Sequence, residues 1–244
     1  MEKFSIVFPD KAIREYEKNS TLNDILKSMG SSLRKNAVAG YVNGVLYDIN
    51  RPITENSDIR LITVNDKEAF RILNHSASHL LAHAVKRLFK NVKFGFGPAI
   101  EEGFYYDFDV AITEADLQAI EKEMIKISNE AFEIERIAVT RAEAEEIFKN
   151  EPYKLELIKE IPGDECITLY KQGEFVDLCE GIHIGNTKKV KNFKLLNVAG
   201  AYWRGKTENP MLTRVYGTAH FSEKALSDYL HILEERKARD HRKL

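Results

Sequence analysis

Two cysteines, Cys166 and Cys179, are too few for a disulfide framework. No apolar run approaches the about 18 residues that a membrane-spanning helix requires. The opening MEKFSIVFPD has no apolar stretch long enough for a secretory signal. Excess charge of one sign is missing too: 36 Lys and Arg stand against 38 Asp and Glu, a net charge of -2. The chain is therefore not a sequence-blind polyanion binder coated in positive charge, and any nucleic-acid contact must be local. Repeats and low-complexity tracts are absent. These absences leave a soluble cytoplasmic protein, with no membrane partner, as the expectation. What is present is ordinary globular composition, 43 % hydrophobic and 30 % charged over 244 residues, enough for one large domain or two modest ones.

Residues 1–64 read as strands around one short helix. Phe4–Phe8 alternates apolar and polar, Pro9-Asp10 turns the chain, and Ala12–Glu17 returns. Thr21 to Asp24 has capping-box spacing, Leu22, Ile25, Leu26 and Met29 follow at helical intervals, and Gly30 stands where a helix ends. Val38–Val42 and Val45–Ile49 flank Asn43-Gly44, the strongest short hairpin signal. Asp58–Val64 completes the order β-β-α-β-β-β.

A long helical pattern starts directly after Asn65-Asp66-Lys67. From Glu68 to Lys90, Phe70, Leu73, Ala77, Leu80, Leu81, Ala84, Val85 and Leu88 form one stripe. Beyond it, strands are expected at Phe104–Phe108, Ile167–Tyr170, Phe175–Leu178, Leu195–Trp203 and Leu212–Tyr216. Two helices open at the capping-box spacings of Thr113 and Thr140. A last helix starts at Ser222 and runs into a highly charged tail with no stop signal, as if it continued past Leu244.

The most informative stretch is Asn74 to His83. His75, His79 and His83 recur every four residues and share one side of the helix, roughly opposite the apolar stripe. They are thus not expected in the core that the stripe makes. Two readings are open: a solvated face on which histidine is incidental, or imidazoles lining a cleft. Position 76 is Ser, so the H-E-x-x-H protease pattern is absent. Along Phe175–Cys179, Asp177 and Cys179 point to one face of a strand, and Gly181 and Gly185 permit a tight loop that returns His183. His75, His79, Cys179 and His183 form a complete tetrahedral zinc inventory. The same groups also suit substrate binding through neutral imidazoles and a thiol, or nucleophilic cysteine chemistry.

Other positions are less specific. Lys154 sits beside Leu155 and Leu157, and a lone lysine is ordinarily a surface charge. Tyr106 belongs to an aromatic strand. Trp203 and Arg204, among small residues, read as core plus turn or as a stacking platform for a nucleobase. Lys188, Lys189, Lys191 and Lys194 suit phosphate contact, and equally an ordinary solvated loop.

In this order along the whole chain, the motifs resemble the N-terminal half of bacterial-type threonyl-tRNA synthetases. The resemblance rests on His75/His79 and Cys179/His183, Gly97-Pro98, Gly103 to Asp107, Gly200 to Gly205, Arg214 to Ala219, and Asp240-His241-Arg242-Lys243. It implies an α+β chain: a small β-grasp (TGS) module over residues 1–64, a larger mixed editing domain over 65–223, and the start of a linker helix over 224–244. Glu180 departs from the family, which often has Arg after the cysteine.

The resemblance further implies hydrolysis of mischarged Ser-tRNA(Thr). His75 and His79 are expected to position water and the terminal ribose. Asp177, Cys179 and His183 would form the opposing wall, Lys154 would steady the ester, and Tyr106 would close the pocket. Trp203 and Arg204 are expected to contact substrate. Zinc at His75, His79, Cys179 and His183 is disfavoured, with water activated instead by imidazole and the substrate's own ribose hydroxyl. ATP and a zinc ion would belong to a catalytic domain beyond Leu244. tRNA(Thr) is the expected partner, the 244 residues a monomer and the longer parent a homodimer. A non-catalytic TGS-containing RNA-binding regulator is the alternative.

Overall fold

The computed structural model describes residues 2–163 and 165–241, so Arg242, Lys243 and the end of the expected linker helix lie outside the described residues. Helices and sheets are mixed as an α+β chain requires. In the N-terminal module, strands β1 (Lys3–Val7), β2 (Ile13–Glu17), β3 (Ala37–Val42), β4 (Val45–Asp48) and β5 (Ser57–Thr63) form one sheet in the order β2-β1-β5-β3-β4. Only β1 and β5 run parallel. The Asn43-Gly44 turn takes positive φ at both residues, as a two-residue hairpin demands.

Helix α1 (Leu22–Lys27) opens on the expected capping box: Thr21 Oγ1 accepts from the Asp24 amide, and Asp24 Oδ2 accepts from the Thr21 amide. Leu22, Ile25 and Leu26 pack against Phe4, Ile6, Val42 and Ile59. The helix ends before Met29, and Gly30, expected to close it, instead precedes a second helix, α2 (Ser31–Asn36), in extended backbone. This helix buries no residue, so it carries no apolar period by which a sequence reading finds it.

A turn over residues 64–66 leads to α3 (Lys67–Leu88). The second module continues through β6 (Lys93–Phe94), β7 (Ala99–Ile100), β8 (Gly103–Asp109), α4 (Leu117–Glu130), β9 (Glu135–Val139), α5 (Arg141–Ile147), α6 (Pro152–Glu160), β10 (Ile167–Gln172) and β11 (Phe175–Leu178). It closes with β12 (Asn192–Tyr202), β13 (Met211–His220) and α7 (Glu223–His241). One sheet runs β12-β13-β8-β6, with β7 also on β8; a smaller one runs β11-β10-β9. Reciprocal capping boxes form at Thr113/Asp116 and Thr140/Glu143, where the spacing places them. Leu226, Tyr229, Leu230 and Leu233 of α7 are half-buried, and the helix lies against β12 and β13. Among the described residues, no helix is long and apolar enough to cross a membrane.

Helix α3 is the axis of this module. Its stripe packs on β8, β13 and α4, but burial does not stop at the stripe: Ser76, Ser78, Ala82 and His83 are buried as well. The side opposite the stripe is therefore not a solvated face. Asn74, within the stripe, and Ser76 and Ser78, at its flanks, each bond a partner distant in sequence. Asn74 Oδ1 accepts from the Ala219 amide at 2.9 Å and its Nδ2 donates to the Ala219 carbonyl at 3.0 Å, continuing the ladder of β13 past the end of β8. Ser78 Oγ donates to the Gly97 carbonyl at 2.7 Å. The two modules share apolar packing, since Val38, Ala39 and Ile62 join the core that α3 organises.

Asn74→Ala removes both bonds to Ala219 and leaves buried backbone groups unpaired. It is expected to lower stability by about 1–3 kcal/mol, read as a reduced urea midpoint; an unchanged midpoint would show that Asn74 does not hold β13.

Candidate active site

The cluster expected from the sequence assembles from three pieces of chain. Helix α3 supplies His75 and His79, β11 and its exit supply Asp177 and Cys179, and the following loop returns His183. Strand β11 lies beside β10, and beyond its end the Cys179 amide bonds the Thr168 carbonyl, so the alternation that puts Asp177 and Cys179 on one face persists. The loop crosses directly over a ring: a Cβ on Gly181 would lie 2.4 Å from His75 Cε1, so any larger residue would displace that imidazole.

Within the cluster, Cys179 Sγ is 3.3 Å from both His75 Nε2 and His183 Nε2. The His183 ring centroid is 4.3 Å from that of His75 and 4.2 Å from that of His79. His79 Nε2 lies 3.4 Å from Asp177 Oδ2. Behind it, the fully buried Lys154 Nζ sits 2.6 Å from Asp177 Oδ1 and donates to Tyr106 Oη at 3.0 Å, while Tyr106 Oη donates to Asp177 Oδ2 at 2.8 Å. Lys154 is thus no surface charge. It enters on α6, a helix the sequence reading missed because Pro152 opens it and only nine residues follow a partial apolar period.

The electrostatics follow from burial. Desolvation pushes His75 down to about 4 and His79 to about 3, against the opposing pull of Asp177, and pushes His183 well below the usual histidine range. All three rings are neutral near pH 7. Desolvation also raises the Cys179 thiol, with Asp177 adding to it, so the sulfur is held protonated. Burial acts on Asp177 in the opposite sense to its partners, but Lys154, His79 and Tyr106 together hold its carboxyl below the usual range. The site is a neutral imidazole–thiol surface backed by one buried ion pair.

A cleft of about 340 Å³ reaches the ion pair past Glu151 and Phe175, and two others reach the imidazoles and the thiol. One, of about 460 Å³, runs past His75, Gly181, Ile182 and Arg71 and is walled by Tyr41 and Leu46 of the N-terminal module. The other, of about 320 Å³, reaches Cys179 past Thr168, Leu178 and the exposed Glu180.

Several sequence expectations change. His83 is buried outside the cluster: its ring stacks on Phe175, with Nε2 3.0 Å from Glu174 Oε1 and Nδ1 3.3 Å from Gln172 Nε2. Tyr106 is the floor of the site and not a gate, since its side chain is fully buried. Trp203 offers no face for stacking: it is 2 % exposed, 4.9 Å from the Tyr153 ring, and its Nε1 donates to Glu156. Arg204 pairs with Glu156 and Glu160. Both residues therefore brace α6, the helix that carries Lys154, in place of the substrate contact expected of them. Of the basic cluster, Lys194 pairs with Glu121 and Lys189 Nζ donates to the Ala37 carbonyl at 3.0 Å, which leaves Lys188 and Lys191 exposed along a separate cleft with Lys35.

The four donors also suit a metal. One ligand atom from each of His75, His79, Cys179 and His183 lies within 4.8 Å of all the others, and the sulfur–nitrogen separations of 3.3 Å are compatible with tetrahedral zinc. His183 Nδ1 is 3.2 Å from Ser76 Oγ, the kind of outer contact that orients a ligating ring.

Comparison with known proteins agrees with the two-module layout. Residues 4–63 match the TGS domain, and residues 167–216 match the threonyl and alanyl tRNA synthetase second additional domain. The whole chain is 53 % identical over 246 aligned residues to the threonine–tRNA ligases of Staphylococcus aureus strains JH9, Newman and USA300. It spans 38 % of the length of each of these curated relatives.

The neutral rings make stability depend on pH. In an unfolded chain each histidine binds a proton near pH 6.5, whereas the folded His75 and His79 do so only near about 4 and 3. Between those values the unfolded state holds more protons. Stability is therefore complete above about pH 6.5 and falls, as pH drops through the window, by about 1.4 kcal/mol per unit for each ring. Urea midpoints are expected to decline from about pH 7.5 to 5, and His75→Gln to flatten that decline; a midpoint constant over the range would contradict the neutral cluster.

Proposed function

From a chain that carries a TGS domain and a threonyl and alanyl tRNA synthetase second additional domain, and that matches along its whole length the N-terminal part of threonine–tRNA ligases, we propose that it hydrolyses seryl esters from the 3′ end of tRNA(Thr). The observation that carries this reading is the meeting of three neutral imidazoles and a thiol beside a cleft that His75 lines, with the buried Lys154–Asp177 pair behind them. Ligation itself, with the ATP and zinc that the resemblance implies, is proposed for the remaining length of the relatives.

The need for such a site is physical. Serine is threonine without one methyl, and a pocket distinguishes one such group by only about 1–3 kcal/mol. A threonine-activating site therefore makes some seryl-tRNA. A second site that rejects the extra methyl removes the error and spares the correct product. In this chain the rejecting wall is formed by Cys179, His183 and His79, whose atoms already touch and leave little room to yield.

In the proposed reaction, water attacks the ester carbonyl carbon and the bond from that carbon to the ribose 3′ oxygen breaks. The proton leaving the water ends on that oxygen, so free serine and a 3′ hydroxyl result. His75, neutral and the least buried of the three rings, faces the cleft and holds the water or the ribose hydroxyl. The Asp177 carboxylate complements the seryl ammonium. Lys154 supplies positive charge toward the developing oxyanion, where a positioned donor is worth about 10²–10³ in rate. The raised Cys179 thiol favours a contact role over nucleophilic attack. A zinc ion held by His75, His79, Cys179 and His183 would supply a polarised water; the proposed reaction proceeds on the side chains alone. A non-catalytic RNA-binding role is not favoured.

The test is discharge of Ser-tRNA(Thr) and Thr-tRNA(Thr) by the 244-residue chain, before and after chelation. The seryl ester is expected to be hydrolysed at least about 10-fold faster, with no loss on chelation, and His75→Ala to lower the rate by about 10²–10⁴. Equal hydrolysis of both esters would overturn the specificity. Loss on chelation that zinc alone restores would overturn the metal-free route.

A further inference from the structure

We propose that Asp48, a residue of the N-terminal module, is a positioning residue for His183 and makes that module a structural part of the reaction site. The proposal builds on the hydrolytic reading for its kinetic readout and on geometry alone for its spectroscopic one.

Asp48 ends β4 and is 4 % exposed. Its two carboxylate oxygens are used outside its own sheet. Oδ1 accepts the His183 backbone amide at 2.9 Å, and Oδ2 accepts the Tyr170 hydroxyl at 2.7 Å. The Tyr170 ring then lies 4.4 Å from the His183 ring. One carboxylate thus fixes the backbone of His183 and, through Tyr170, one side of its imidazole. The opposite side is held from α3, where Ser76 Oγ reaches His183 Nδ1 and accepts the Ile184 amide at 2.8 Å.

The neighbouring contacts show that this is a docked loop and no isolated bond. Asn50 Nδ2 donates to the Gly185 carbonyl at 3.1 Å, and Lys189 Nζ donates to the Ala37 carbonyl at 3.0 Å. A Cβ on Gly185 would lie 2.5 Å from Ile49 Cγ2, so the loop backbone packs directly on the Ile49 side chain. The loop that carries His183 is therefore bonded to the N-terminal module at Asp48, Asn50 and Ala37. A buried carboxylate loses its hydration, and the donors that replace water here both belong to the second module. Its removal frees the very residue that meets Cys179 Sγ at 3.3 Å. Displacement of a reacting group by about 1 Å can lower a rate by about 10²-fold.

The experiment compares Asp48→Ala and Asp48→Asn in the 244-residue chain. The readouts are discharge of Ser-tRNA(Thr) and long-range ¹H–¹⁵N spectra of the histidine rings, with His183 assigned through His183→Gln. Asp48→Ala is expected to shift the His183 ring signals and lower kcat by about 10- to 100-fold, with KM within about twofold. Asp48→Asn, which keeps an acceptor for the His183 amide, is expected to restore most of both. Wild-type ring signals and wild-type kcat in folded Asp48→Ala would overturn the proposal. If the unsubstituted chain does not discharge the ester, the hydrolytic reading fails and the ring signals alone decide: displaced in Ala and restored in Asn supports the positioning role, unmoved overturns it. Should Asp48→Ala not fold, Tyr170→Phe takes its place, with a smaller displacement of the His183 signals expected and unmoved signals overturning the proposal.

Discussion

The ion pair between Lys154 and Asp177, 2.6 Å apart and wholly out of water, is the contact around which the second module is arranged. Neither charge survives burial alone, so three elements are obliged to meet: α6 brings the lysine, β11 the carboxylate, and β8 the Tyr106 hydroxyl that bonds both. The start of α6 is fixed further by Glu151 on the Phe94 amide and by Tyr153 on Asp109. Trp203 and Arg204 press on the same helix from outside, through Tyr153, Glu156 and Glu160. Residues that look chemical in sequence thus act as a brace, and a lysine that looks like surface is the anchor.

From that anchor the rest of the site follows. The carboxylate faces His79, which stands against His183, which touches Cys179, which touches His75 at the cleft. Polarity is graded along this chain, from a buried ion pair to a half-buried imidazole. Dehydration keeps the rings unprotonated and the thiol intact, so the surface offered to a ligand is one of neutral donors and acceptors with a single fixed charge pair behind it. Such a surface suits an ester, an ammonium and a hydroxyl better than a phosphate. The exposed lysines, Lys188 and Lys191, lie on a different cleft.

Much of this is legible in the amino-acid sequence. The H-x-x-x-H and C-x-x-x-H spacings named the four cluster residues, because a helix and a strand exit translate such spacings directly into shared faces. The capping boxes at Thr21, Thr113 and Thr140 and the Asn43-Gly44 turn were readable because their chemistry is local. What was hidden depends on partners distant in sequence. Whether the histidine side of α3 is a solvated face or lines a cleft is not decided locally, and the burial of Asn74, Ser76 and Ser78 rests on partners as distant as Ala219, Ile184 and Gly97. Helix α2 buries nothing and so leaves no period to find. Asp48, in a module with no evident chemistry, resembles any turn aspartate until its partners, Tyr170 and His183, are seen across the interface.

The most direct test of the whole arrangement separates the pair's structural part from its chemical one. Lys154→Met, Asp177→Leu and the double variant are compared for urea stability and for discharge of seryl-tRNA(Thr). Each single change leaves one buried charge unpaired and is expected to lower stability by about 3–5 kcal/mol, whereas the double change recovers most of that loss. Because the charges also complement the seryl ammonium and the developing oxyanion in this account, the stable double variant is expected to have lost hydrolysis. A double variant that folds and still discharges the ester, or single variants as stable as the parent, would contradict it.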